Sequence, residues 1–202
     1  MQTEVIRNKT QQKSIPRLTI HTLGLGRGLL SSLIQRPNTT VIAGVRNLSS
    51  ESTTSLSTLP TGTGSKIITV KIDSTIPSSA TDAINELTNT HSISALDVVI
   101  ANAGISNYYG PAVSTPLAEA REHLEVNVIG TLALFQATWP LLEKAKKPIF
   151  VALSTGLASI TDMGSMPVQA TAYGMSKAAL NYMVRKIHFE NEALISFVIS
   201  PG

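Results

Sequence analysis

Short, nearly continuous runs of Val, Ile, Leu and Ala recur along the chain at residues 40–45, 66–72, 96–101, 148–154 and 194–200. Runs that do not alternate with polar positions are expected of parallel strands covered on both faces. Between them the pattern changes to a helical period. Thr115-Pro116 supplies a cap followed by proline at the first helical position, and Leu117, Ala120, Leu124 and Val128 recur on one face. A second helix is expected over residues 172–192, with Ala179, Met183, Ile187 and Glu190 on related faces, and a shorter apolar one over 29–34. Residues 47–65 are rich in Ser, Thr and Gly and read as a loop with at most a short helix. Strand–helix alternation of this kind predicts an α/β fold, a doubly wound parallel sheet with helices on both faces. No internal repeat is visible.

Composition narrows the class. A chain of 202 residues, 43% hydrophobic and 14% charged, is long enough for one domain with a sizeable core. The net charge is +3 (16 Lys+Arg minus 13 Asp+Glu), with the basic residues scattered apart from a short cluster at 144–147. That distribution leaves no basic stripe for nucleic acid. The chain has no cysteine, which excludes disulfides and thiolate chemistry and suits a cytoplasmic protein. No apolar signal core opens the sequence, and no apolar run approaches the ~20 residues of a membrane helix. His21, His91, His123 and His188 have no metal-ligand spacing, so no metal is expected.

Tyr173-Gly174-Met175-Ser176-Lys177 carries the most chemistry. Residues four apart on a helix share a face, so the lysine ammonium is expected to stabilise the tyrosinate and pull the phenol below its usual pKa of about 10. A phenol tuned in this way donates a proton to a ketone oxygen, or takes one from an alcohol. By itself the spacing is common on helix surfaces. A second cluster, Gly24-Leu25-Gly26-Arg27-Gly28, precedes the apolar stretch 29–34. Glycines at a strand-to-helix turn admit a pyrophosphate at the helix N-terminus. Arg46 ends the next strand, 20 positions after Gly26, and no Asp or Glu lies between Val41 and Ser50. An acid near that point holds a ribose 2′-hydroxyl, whereas an arginine fits a 2′-phosphate, which argues for NADP(H).

With these pieces in order the chain resembles the short-chain dehydrogenase/reductase family from about Thr19 to Gly202. Asp73 matches the family's adenine-contacting acid, and Asn102-Ala103-Gly104 its turn beside the cofactor. Asn127 stands where the family keeps an asparagine that organises a proton-relay water. Ser154-Thr155 ends the fifth strand at the catalytic serine, Tyr173 and Lys177 complete a tetrad, and Pro201-Gly202 matches the turn after the sixth strand. The stretches 101–111, 135–142 and 173–192 resemble fungal ketoreductases of the norsolorinic-acid-reductase-like group. The resemblance implies a Rossmann fold over 16–202, after a divergent polar segment 1–15. It also implies NADPH-dependent reduction of a ketone or aldehyde, including an aromatic polyketide as a candidate. A homodimer or homotetramer would form through the helices carrying Asn127 and Tyr173.

Three departures qualify this. The family's nucleotide turn opens Thr-Gly, and here Thr19 is followed by Ile20, whose β-branched side chain resists the geometry glycine allows. By the family's Ser-Ser register the reacting hydroxyl is Thr155, with Ser154 the fallback. The chain stops at Pro201-Gly202 where relatives continue into a substrate lid, so the fold is expected to be incomplete at its C-terminal end. A catalytically inactive protein that kept the fold as a binding module therefore stays open beside the reductase, as does an NADPH sensor. The loops 106–111, with Tyr108 and Tyr109, and 161–168 are expected to line the substrate side.

Overall fold

The computed structural model describes residues 17–21 and 25–201. Six parallel strands form one sheet in the order β3-β2-β1-β4-β5-β6. They are β1 (Arg17–His21), β2 (Thr40–Val45), β3 (Lys66–Lys71), β4 (Val98–Ala101), β5 (Ile149–Leu153) and β6 (Ile195–Ile199). Each of the five apolar runs falls on a strand to within two residues. β1 pairs in register with both neighbours, Ile20 lying opposite Ala43 and Ile100.

β2 explains why a strand of this kind shows no alternation. All six of its residues are buried, Ile42 in one core and Val41 and Ala43 in the other. The larger core joins Ile42, Val70, Leu96 and Phe150 to α3 (Pro77–Asn89), α5 (Gly130–Leu142) and α6 (Thr171–Glu190). The smaller one gathers Leu30 and Ile34 of α1 (Leu25–Ile34) and Leu56 on the opposite face. Helices therefore cover both faces, as doubly wound sheets require. Outer strand β6 differs: Ile195, Phe197 and Ile199 all stay exposed. The segment 47–65 holds one helical turn, α2 (Glu51–Thr54), and a 3₁₀ turn, Ser55–Thr58, as expected.

The helices depart from the sequence reading in detail. Pro116 is the cap of α4 (Leu117–Leu124) rather than its first residue. Thr115 turns its hydroxyl to the Gly110 and Pro111 carbonyls instead of the helix. The apolar stripe from Leu117 is not the buried face. Leu117 is 70% exposed, whereas His123, Asn127 and Thr131 are buried. The helix turns these polar residues inward because a π-helical turn, Glu125–Ile129, joins α4 to α5 and resets the face. Gly130 closes that turn where a Cβ would come within 2.6 Å of the Ser74 carbonyl oxygen. In α6 the buried stripe runs through Ser176, Lys177, Leu180, Val184 and Ile187, one position away from the expected Ala179–Met183 face.

Candidate active site

Arg46 follows β2, Asp73 follows β3, Asn102 follows β4 and Ser154 follows β5, so all four lie at the carboxyl edge of the sheet. The strand order reverses between β1 and β4, the place where open α/β sheets bind ligands. There Leu25, Arg46, Asp73, Asn102, Ala103 and Gly104 line a cleft of about 310 Å³. Gly26, named with them, is buried in the first turn of α1. Thr75 donates to Asp73 Oδ1 from its hydroxyl (2.7 Å) and its backbone (3.0 Å), and these bonds hold the carboxyl below its usual range. Gly24 and Gly202 lie outside the described residues.

A second cavity, of about 170 Å³, adjoins the first, and Leu25, Asn102, Gly104 and Ile105 line both. Ser106, Ser154, Tyr173, Lys177 and Pro201 complete its wall. Of the described residues expected in the nucleotide site and tetrad, all but Gly26, Asn127 and Thr155 line one cavity or the other, and Asn127 stands behind Gly104.

Each tetrad residue has a definite partner. Lys177 is buried and donates to the Leu153 carbonyl at 2.7 Å, and burial lowers its pKa to about 8. The Thr155 hydroxyl lies near the Tyr173 phenol, where it offsets part of the rise in that group's pKa, and accepts from the Leu157 N–H at 3.3 Å. Ser154, which lines the same cavity, donates to Asn181 Oδ1 at 2.6 Å. The adjacent hydroxyls thus differ in surroundings: Thr155 stands near the phenol, and Ser154 is bonded to Asn181 of α6. Asn127 is fully buried; its Oδ1 accepts from the Ile105 N–H (2.7 Å), and its Nδ2 donates to the Ile105 carbonyl (3.0 Å) and Ser176 Oγ (2.9 Å). That side chain holds the loop after β4 against α6.

Two expectations need correction. The Tyr173 pKa is raised, not lowered: burial is the main cause, and the nearby Tyr109 phenol adds to it. Lys177 sits 5.9 Å from the Tyr173 ring centre, and its ammonium is engaged with Leu153. The loop 161–168 does not line the Tyr173 cavity. Met163, Met166 and Val168 instead line an apolar groove of about 290 Å³ with Gly174, Met175 and Ala178, on another face of α6. Asn181 was absent from the sequence reading, whereas Ser106, at the start of the loop 106–111 expected on the substrate side, does line the Tyr173 cavity. A polar residue one turn beyond Lys177, on the same face, was the available sign for Asn181.

A family model described as "Enoyl-(Acyl carrier protein) reductase" matches residues 24–193. A norsolorinic acid ketoreductase of Dothistroma septosporum is 46% identical over 89% of this chain and 68% of its own length. One from Emericella nidulans is 42% identical over 96% and 73%. Among solved structures, an NADPH-bound carbonyl reductase from chicken fatty liver superposes with a TM-score of 0.82 at 25% identity, over 93% of this chain and 76% of that one. No helix among the described residues is long and apolar enough to cross a membrane, and no group of side chains among them could hold a metal ion. By the family match, by identity and by the site built from Asn127, Thr155, Tyr173 and Lys177, the chain belongs to the short-chain dehydrogenase/reductase family.

Proposed function

We propose that the protein is an NADPH-dependent carbonyl reductase acting on an aromatic, polyketide-type ketone. One observation carries this reading: Tyr173 and Lys177 face a cavity that adjoins the cleft holding Arg46 and Asp73. The cleft fits a phosphorylated dinucleotide. It has a cation at the end of β2 and an acid at the end of β3, and Gly104 keeps its middle open. A Cβ on Gly104 would stand 3.0 Å from Asn127 Oδ1 and 3.2 Å from Lys177 Nζ. Arg46 would hold the 2′-phosphate, Asp73 the adenine, Asn102–Gly104 the central part, and Lys177 the nicotinamide ribose.

When bound, the reduced nicotinamide supplies hydride to the carbonyl carbon. Tyr173 gives its proton to the carbonyl oxygen, and its raised pKa keeps that proton in place at neutral pH. Thr155 donates the second hydrogen bond to the same oxygen and orients it. Asn127 acts by fixing the Ile105 backbone between the two cavities and bracing Ser176 beside Lys177. Met175, Tyr182 and Phe189, exposed along α6, suit self-association through that helix.

The reading is tested first by calorimetric titration with NADPH and NADH. NADPH is expected to bind more tightly, and Arg46→Glu to weaken it about 30-fold, the worth of a charge-assisted hydrogen bond. Equal affinity of wild type and Arg46→Glu would remove Arg46 from the site. Folded protein that binds neither nucleotide would favour the inactive binding module, and binding without reduction of any ketone the sensor.

The two adjacent hydroxyls separate cleanly by kinetics. Thr155→Ala is expected to lower kcat about 100-fold, as loss of an oxyanion donor does. Ser154→Ala removes the bond to Asn181 and should cost about 1 kcal/mol of stability, with kcat within about fivefold. The reverse order of effects would return the reacting role to Ser154.

A further inference from the structure

Arg27 stands in the first turn of α1, two residues after Leu25, and is half-buried, yet it does not line the cleft that Leu25 and Arg46 share. Its guanidinium turns instead to the segment after β2. Nη1 donates to the Ser52 carbonyl at 3.1 Å and to Ser55 Oγ at 3.0 Å, residues 25 and 28 positions further along the chain. Ser55 Oγ donates to the same Ser52 carbonyl at 3.2 Å. The helical turn α2 is thus gripped at its carbonyl end, where a cation is favoured.

The same turn grips the chain beside Arg46. The carbonyl of Asn47, the next residue, accepts from Thr53 Oγ1 at 2.8 Å and from Ser50 Oγ at 3.0 Å. Thr53 is buried, so its bond is shielded from water. On the other side of Arg46 the Val45 carbonyl accepts from the Ile72 N–H at 2.9 Å. The backbone of Arg46 is therefore held before and after. Arg27 reaches it through α2: Arg27 bonds Ser52, Ser52 and Thr53 share one turn, and Thr53 bonds Asn47. Leu56, in the smaller core with Leu30 and Ile34, anchors the far end of the segment.

Arg46 is exposed, and its side chain is long. Such a group binds an anion well only where its root is already fixed, because ordering both root and side chain on binding subtracts from the affinity. The bonds to Asn47 supply that fixing from hydroxyls, which carry no charge and leave the Arg46 cation unneutralised. The first acid after β2 is Glu51, on α2 itself. We infer that Arg27 is a positioning residue: through α2 it fixes the backbone that carries Arg46, and so sets the preference for a nucleotide bearing a 2′-phosphate over one without it. This deepens the reductase reading and rests on it for the place of the nucleotide.

Adenosine 2′,5′-bisphosphate and adenosine 5′-monophosphate differ by that phosphate alone, and calorimetric titration of each into the full chain tests the inference without turnover. Wild type is expected to bind the bisphosphate about 30-fold more tightly. Arg27→Met keeps the aliphatic stem and the helix propensity and removes the guanidinium. It should cut the preference to about fivefold, with the affinity for the monophosphate within about twofold of wild type. Thr53→Val removes the hydroxyl bond to Asn47 at nearly constant volume; it should cut the preference in the same direction and stands in if Arg27→Met does not fold. Arg27→Met added to Arg46→Met should lower the preference no further than Arg46→Met alone, since the two residues act in series. An unchanged preference in either folded variant, equal weakening of both nucleotides, additive losses in the double variant, or no preference in wild type each overturns the inference. A preference that collapses as expected in a chain that reduces no ketone supports it and overturns the reductase reading. Ketone reduction with a preference indifferent to Arg27 and Thr53 does the reverse.

Discussion

Tyr173→Phe is expected to lower kcat for ketone reduction about 1000-fold, while NADPH affinity changes less than about threefold. The substitution removes one oxygen and keeps the ring. That ring is half-buried, and the Lys177 ammonium approaches it at 5.9 Å through a contact that does not need the hydroxyl. Packing and the nucleotide cleft therefore persist, and the loss falls on proton transfer. The sign of the pH dependence follows from the direction of the shift. Burial raises the Tyr173 pKa above the ordinary tyrosine value, so the phenol stays protonated through neutral pH. Reduction, which consumes that proton, should be level there and decline on the alkaline side. Alcohol oxidation, which needs the tyrosinate, should climb with pH. A Tyr173→Phe variant retaining kcat within tenfold of wild type would end the general-acid assignment.

Asn127→Ala carries the largest expected loss of stability. The side chain makes three hydrogen bonds from a fully buried position, two to the Ile105 backbone and one to Ser176. Truncation leaves the half-buried Ile105 N–H and carbonyl without these partners, together worth about 3 kcal/mol. For a domain of this size that lowers the melting midpoint by about 9 °C. Activity should fall further than the folded fraction, because Ile105 lines both cavities and loses its anchor. Asn127→Asp keeps the acceptor for the Ile105 N–H and should fall between. Urea denaturation of the three proteins measures this, and a loss below about 1 kcal/mol for alanine would show that Ile105 is held by other means.

The strands were legible because burial on both faces leaves a mark that needs no partner to read: β2 is apolar at every position but one because both its faces are core. The helices were less legible. α3 went unrecognised; its buried face is built of Ser79, Ala80, Ala83, Ile84 and Leu87, mostly small, and its cap, Ile76, makes no side-chain bond to announce a start. Along α4 and α5 the apolar spacing misled, since the inward positions include His123, Asn127, Thr131 and Thr138, polar and buried, beside Val126, Leu134, Leu141 and Leu142. The polar side chains bond nearby backbone, and Asn127 also Ser176, which no periodicity of hydrophobicity records. The site residues were located by ordered motifs and do converge. What the sequence withheld was direction: which of Ser154 and Thr155 faces Tyr173, where Lys177 spends its ammonium, and on which side of α6 the methionine-rich loop packs.

The π turn at Glu125–Ile129 acts as a phase shift between two helices that would otherwise be one. It accommodates an extra residue, and each residue of an α-helix turns the chain by about 100°. Deleting one residue there would restore a regular helix with α4 and α5 still in phase, and the change would fall on the turn itself, where Asn127 sits. Point substitutions along α4 can be absorbed one at a time, but chain length between Leu117 and Gly130 cannot drift without unseating Asn127. The constraint on this stretch is therefore on counting as well as on identity: alanine scanning reports Asn127, and a single-codon deletion reports the turn that seats it.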